Sequence, residues 1–579
     1  MTDTLTDALR LHQSGRLAEA ADLYAALLRA NPLHADALHL LGILRAQQGG
    51  PVRDAVALIG QAAALNPTAA SYRGNLGKAV RGDWPAAAAG LRDAGDALYD
   101  HGQPGIAARA YRAAALIQPD DPLAWGNLAV ATRDQGAPGD AVPPIRRASA
   151  LDPANAAITR LAASLLLDAR HPAADAAIRR AIADAPADAA LRRARADAAK
   201  IAGDRPAAEA LYRTALTLDP AEATAWFHLG VVLGDQGRHG DSVPAYARAV
   251  RLDPAAVDPR YNLAHAQLIT GDWRAGWESF AVRFARGVAL PAHAPPRWRG
   301  EPLTGQTLLF YGEQGHGDAI QMIRYAPLIA RAGGRVVVEC LPALVRLFAE
   351  APGVSAAVPL GSAPKADWLC PMMDAPGLFA TTPDRCPNAV PYLRPPADAR
   401  KPELPDDPAR LTVGLVWAGD PHRDDARWSH ADTRRSLPLS GFAPLFDHPR
   451  LRLVSLQKGS AAAQADAPPF AGRLWTRDIA AARDFADTAA LVQRLDLVIS
   501  VDTAVAHLAG ALGVPVWVLS RFDGCWRWLL DRDDSPWYPT VRLFRQPTLG
   551  EDWTPVLDAV AAALDAAVDA LVRARATTP

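Results

Sequence analysis

Three stretches of this sequence supply between them the glycine, carboxylate and cation that handling an anionic leaving group requires. In the first, Gly315, Gly317 and Asp318 follow an apolar run at 307–311 and precede a helical pattern. Glycines let the backbone approach a ligand closely, and the free amides at a helix start favour an anion. Asp318 itself suits the cap of that helix. In the second, Asp502, Thr503, Ala504 and His507 follow an apolar run at 495–500. Asp502 or Thr503 is placed to cap the next helix, whose N-terminal amides and macrodipole can hold a diphosphate. His507, one turn along, either faces the same cleft or serves structure. The third stretch is dispersed. Trp417 and Gly419 end a run that begins at Leu411, Arg434 and Arg435 follow, and Gln457 and Lys458 close a run at 450–456. Cations after strands would neutralise a departing diphosphate, arginine by bidentate contact and lysine as a compact charge. The plainer reading of an arginine pair is solvated surface.

Such loops need strands that end side by side. Short apolar runs at 307–311 and 335–339 alternate with helical patterns at 318–331 and 343–350, which predicts βαβ units and a parallel sheet. A proline-rich, polar stretch at 391–408 separates these from further runs at 411–417, 450–456, 495–500 and 514–519. The pattern implies two Rossmann-like lobes, with ligands expected at the carboxyl ends of the strands.

The N-terminal half follows a different rule. Pro32, Pro67, Pro119, Pro153, Pro186, Pro220 and Pro254 are spaced by 35, 52, 34, 33, 34 and 34 residues, the period of tetratricopeptide (TPR) helix pairs. Each pair exposes an apolar stripe that only its neighbour can cover, so residues 1–286 are predicted to form an all-α TPR superhelix of about seven to eight repeats. The long interval implies a degenerate repeat with an extra helix at 71–119. A recurring position on the first helix of each pair holds Asn75, Asn127, His228 and Asn262. Such a row can bind the backbone of an extended peptide, or can satisfy neighbouring groups within the solenoid. A proline-rich linker at 287–300 ends the repeats.

Composition narrows the rest. A formal charge of −1 over 579 residues gives no broad electrostatic reason for a nucleic-acid partner. The widely spaced Cys340, Cys370, Cys386 and Cys525 suggest neither a zinc site nor a disulfide framework. With no signal-like N-terminus and no apolar run long enough to span a membrane, a cytoplasmic protein is expected.

In order and spacing, the loops at Gly317 and Asp318, the strand end at Trp417 to Gly419, the stretch at Arg434 to Leu437 and the turn at Asp502 to His507 resemble the heptosyltransferase-like (family 9-like) glycosyltransferases of the GT-B fold. The resemblance is closer to bacterial proteins that fuse such a domain to TPR repeats, including flagellin glycosyltransferases. It implies an α/β GT-B domain of two lobes, 301–395 and 409–575, joined by a linker at 396–408. Asp318 matches a proposed general base on the acceptor hydroxyl. Arg435 matches a basic residue on the donor phosphate, with Lys458 as a second cation. Asp502, Thr503 and His507 match a donor-site element in which Ala504 stands where glycine is common. The donor-binding set is thus Gly315, Gly317, Trp417, Gly419, Arg435, Gln457, Lys458, Asp502, Thr503, Ala504 and His507. The implied reaction uses a nucleotide-sugar donor with no cofactor and no metal, inverts configuration, and glycosylates a protein acceptor, flagellin being one candidate. Asp531 and Asp533 superficially resemble a metal-binding pair but do not follow a strand. The cluster of Trp526, Trp528, Trp537 and Tyr538 is expected to pack rather than to bind sugar. The alternatives are a transferase for a surface polysaccharide or lipid-linked glycan, and a non-catalytic TPR scaffold.

Overall fold

A computed structural model of the chain describes residues 2–291, 294–419, 434–550 and 552–577. Ala292 and His293 of the proline-rich linker lie outside the described residues. The chain divides into two compact units, Met1–Ala225 and Trp226–Pro579.

The first unit is built of helix pairs, and two backbone devices recur along it. The residue before each closing proline is pushed out of the helical region by the pyrrolidine ring. Asn31, Asn66, Gln118, Asp152, Ala185 and Asp219 accordingly end their helices at φ between −126° and −144°. Within pairs, Gly15, Gly49, Gly102, Gly136 and Gly203 make the turn at φ of 70° to 93°, and Arg170 is held at φ 50° where the same turn lacks a glycine. Asp83, Asp121, Asn155, Asp188 and Asp204 cap the helices that follow them. Between Pro67 and Pro119 stand three helices, Ala70–Val80, Trp84–Asp100 and Pro104–Ile117.

The second unit begins within the helix Ala223–Asp235 and continues the repeat pattern through His239–Leu252, Val257–Ile269 and Trp273–Phe280. The division therefore falls well before residue 286. The cause is packing: Trp273 stacks on Trp537 and Trp277 meets Trp526 edge-on, each pair at 4.9 Å between ring centroids. All four of these rings, with Trp528 and Tyr538, are buried.

Among the described residues, nine strands follow in two parallel sheets. β1 (Thr307–Tyr311), β2 (Arg335–Cys340), β3 (Val354–Pro359) and β4 (Trp368–Pro371) are ordered β3-β2-β1-β4. β5 (Leu411–Val416), β6 (Leu451–Ser455), β7 (Leu497–Val501), β8 (Val516–Ser520) and β9 (Val541–Arg545) are ordered β6-β5-β7-β8-β9. Every residue of β5, β7 and β8 is buried, as expected where both faces of a parallel sheet are covered. Strand order reverses at β1/β4 and at β5/β7, which places the switch-point crevices at the loops after β1, β5 and β7. The helix expected at 318–331 is instead His316–Met322, a 3₁₀ turn Ile323–Tyr325 and Ala326–Arg331, with Pro327 opening the last piece. Among the described residues no helix is long and apolar enough to cross a membrane, and all four cysteines are free.

Candidate active site

One cavity of about 1270 Å³ in the second unit collects the carboxyl-end loops of both sheets. Glu313 to Asp318 enter it after β1, Ala418 and Gly419 after β5, Gln457 and Lys458 after β6, Asp502 to Val505 and His507 after β7, and Arg521 and Asp523 to Arg527 after β8. Tyr246, Tyr261, Asn262 and His265, from the helices His239–Leu252 and Val257–Ile269, line it too.

The loop after β1 is held rigidly. Glu313 accepts from the Met372 and Met373 amides at 2.9 and 3.2 Å and from Arg283 Nη2 at 2.8 Å. Burial raises its carboxyl above the usual range even beside Arg283. Three residues past Gly315, Asp318 turns back so that Oδ2 accepts from the Gly315 amide at 3.2 Å, closing the helix start. Its other oxygen forms an ion pair with Arg527. Arg527 also donates from Nε to Gln321 Oε1 at 2.8 Å and from Nη1 to Cys525 Sγ at 3.1 Å, with the guanidinium 4.2 Å from the Trp526 ring centroid. Gly317 is glycine for want of space: a Cβ there would lie 2.9 Å from His507 Cδ2 and 3.4 Å from Ala504 Cα.

At the loop after β7, Thr503 precedes the helix Ala504–Ala511 but does not cap it with its side chain; its hydroxyl meets Ser500 Oγ at 3.0 Å. Arg435 Nη1 donates to the Asp502 carbonyl at 3.2 Å, which sets a guanidinium beside the start of this helix. The uncapped end and the adjacent cation suit an anionic group. His507 is buried, with Nδ1 2.9 Å from the Tyr538 hydroxyl and its ring stacked on Trp528 at 5.4 Å. Burial lowers its pKa to about 3, and Arg527 adds to the effect. His507 is therefore a neutral imidazole at pH 7, not a cation for phosphate.

The third group divides. Trp417 is corrected: its side chain is wholly buried in the core of the second sheet with Leu437, Leu439 and Phe442, so it is no donor contact. Gln457 is a bracket, accepting from the Trp417 and Ala418 amides at 3.1 and 3.0 Å and donating to the Ala418 and Lys458 carbonyls at 3.0 and 2.8 Å. Ser436 Oγ accepts from the Gly419 amide at 3.0 Å. Lys458 reaches the cavity with Nζ 2.5 Å from the Ala482 carbonyl.

Of the repeat residues read as an acceptor row, Asn262 lines the cavity. In the first unit, Asn75 Nδ2 pairs with His39 Nε2 at 3.1 Å and Asn127 Nδ2 donates to Asp96 at 3.2 Å, so neighbouring helices engage both amides. His228 lies beside Phe227, with ring centroids 5.4 Å apart, and is not among the residues lining the cavity.

Sequence reasoning missed three arginines that hold the site: Arg283 and Arg324, both buried, and the partly buried Arg527. Besides Arg527, Arg324 donates to the Gln321, Pro387 and Trp537 carbonyls at 2.7, 3.1 and 2.7 Å and to the Tyr392 hydroxyl at 2.9 Å. It thereby ties the two sheets together from a helix that offered no motif. A further tie runs from Arg346 to Asp484 and Asp487 at 2.9 and 3.2 Å.

Residues 453–519 match Glycosyltransferase family 9 (heptosyltransferase). That span runs from β6 to β8 and holds Gln457, Lys458, Asp502, Thr503, Ala504 and His507. Residues 5–50, 92–156, 194–257 and 230–275 match the tetratricopeptide repeat. Protein FlbA of Caulobacter vibrioides is 27% identical over 422 residues, 61% of this chain and 68% of that protein. The peroxisomal targeting signal receptor of Eremothecium gossypii is 32% identical over 83 residues, 14% of this chain and 15% of its own. A solved MamA from Desulfovibrio magneticus superposes at TM-score 0.28 and 21% identity, over 29% of this chain and 96% of its own. The family matches and the FlbA similarity support a glycosyltransferase carrying tetratricopeptide repeats, modules of protein–protein interaction.

Proposed function

We propose that the protein is a GT-B glycosyltransferase of the cytoplasm that moves a sugar from a nucleotide-sugar donor to a hydroxyl of a protein acceptor, flagellin being the first to test. The observation that supports this reading is the single cavity in which Asp318, Arg435, Lys458 and the start of the helix Ala504–Ala511 meet. Asp318 takes the proton of the acceptor hydroxyl, and the oxygen attacks the anomeric carbon from the face opposite the leaving group, inverting it. Charge gathering on the departing phosphate is met by the helix amides, Arg435 and Lys458, an arrangement that works without a metal. Arg527 orients Asp318, and Gly317 allows the two helices to close on the reacting atoms.

A thermal-shift panel of UDP, GDP, ADP and CMP tests the donor half. A nucleotide at about 100 times its Kd stabilises the folded state by about 2.7 kcal/mol. We expect one nucleotide to raise Tm in the wild type and to lose most of that rise in Arg435→Gln. No response to any nucleotide would contradict the reading.

A further inference from the structure

The repeat-derived wall of the cavity holds polar atoms that the transfer chemistry leaves unused. His239 opens the helix His239–Leu252 and His265 lies on Val257–Ile269, and both line the cavity. In each, Nε2 is buried with no hydrogen-bond partner among the described residues. Buried polar atoms are almost always satisfied, so two orphans on one wall point to a partner from outside the chain.

Neither ring is loosely placed. His239 is hydrogen-bonded to the Asp523 backbone, and His265 lies between the Tyr261 and Phe280 rings, with centroids 4.5 and 5.5 Å away. Burial lowers the pKa of both, that of His265 to about 4 with Arg527 and Arg286 acting in the same direction. At neutral pH each is an uncharged imidazole, able to exchange one hydrogen bond through Nε2 but unable to hold phosphate by charge. That suits a hydroxyl or an amide, whereas the cations for a diphosphate, Arg435 and Lys458, lie on the loops after β5 and β6. The neighbouring polar pair on the wall is engaged, since Asn262 hydrogen-bonds the Tyr246 hydroxyl. The helix Val257–Ile269 that carries His265 packs on the turn Trp526–Trp528 that carries Arg527, the partner of Asp318, so this wall adjoins the Asp318 side of the cavity.

We infer that this wall is the acceptor seat, where His265 hydrogen-bonds the hydroxyl-bearing residue of an extended polypeptide and His239 a backbone group farther along it. The inference rests on the transferase reading and assigns the last repeats a direct hold on the acceptor. The test uses full-length protein, purified flagellin as acceptor and a nucleotide sugar carrying the nucleotide that binds in the panel above. His265→Phe and His239→Phe should each raise KM for flagellin roughly tenfold, the worth of one lost hydrogen bond. The donor KM and Tm should stay near wild type, and His265→Gln, which retains a polar tip, should recover part of the loss. Should His265→Phe not fold, His265→Gln and His239→Phe carry the test by the same split. An unchanged flagellin KM, or a rise in the donor KM instead, overturns the inference while leaving the transferase reading intact. Absence of wild-type transfer would contradict flagellin as the acceptor in the proposed function, and the seat for it inferred here falls with that reading.

Discussion

Replacing Asp318 by asparagine separates chemistry from architecture. The amide oxygen can still accept from the Gly315 amide, but the charge facing Arg527 is gone. Loss of a general base lowers transfer by about 10²- to 10⁴-fold. Removing one partner of a buried ion pair costs about 3–5 kcal/mol. Because the Asp318 and Arg527 side chains keep 22% and 15% of their exposure, water screens the orphaned charge, and we expect about 1–3 kcal/mol here. Adding Arg527→Met removes that charge, so the double variant should regain stability by a coupling of similar size while transfer stays lost. Urea midpoints at pH 7 and initial rates of acceptor mass change read the two quantities independently. A folded Asp318→Asn that transfers at the wild-type rate would refute the base. Additive stability losses in the double variant would refute the ion pair.

Other outcomes follow from the packing. Gly317→Val should drive a Cβ toward His507, 2.9 Å away, and cost about 1–3 kcal/mol by overpacking together with weaker nucleotide affinity in thermal titration. Arg324→Met should strip the Pro387 and Trp537 carbonyls of their donor and cost about 3–5 kcal/mol in urea unfolding, with a near-neutral result counting against a tie between the sheets. His507 sets an acid sensitivity. The unfolded ring takes a proton near 6.5 whereas the folded one resists until about 3, so the unfolded chain binds more protons in that window and stability falls as pH falls through it. By pH 5 the loss is about 2 kcal/mol, and His507→Phe should lessen the pH 7 to pH 5 difference by that amount.

Much of the architecture was legible because its signals are local. Proline spacing reports the helix pairs, since the ring disfavours helical geometry for the residue before it, and at Asn31 and Asp219 the helix ends there. β1 falls at its expected limits, and β5 to β8 lie within a residue or two of theirs, because fully buried parallel strands read as continuous apolar runs. β3, β4 and β9 were not read: β3 is only partly buried and β4 has four residues, so neither writes a long apolar run. The site was legible where a loop carries its own pattern, as at Gly315 to Asp318 and Asp502 to His507. It was not legible where the partner comes from far along the chain. Arg527 reaches Asp318 across 209 positions and Arg324 reaches Trp537 across 213. Trp417 shows the reverse error, a residue at the end of a strand whose side chain turns into the core.

The most direct measurement is the intact mass of purified flagellin after incubation with the full-length protein and a nucleotide sugar of the class that the thermal panel selects. Mass increments of one sugar residue each should be present with wild type and absent with Asp318→Asn. Unchanged mass with every nucleotide sugar whose nucleotide binds would contradict transfer to this acceptor. Equal increments from both proteins would contradict the assignment of Asp318.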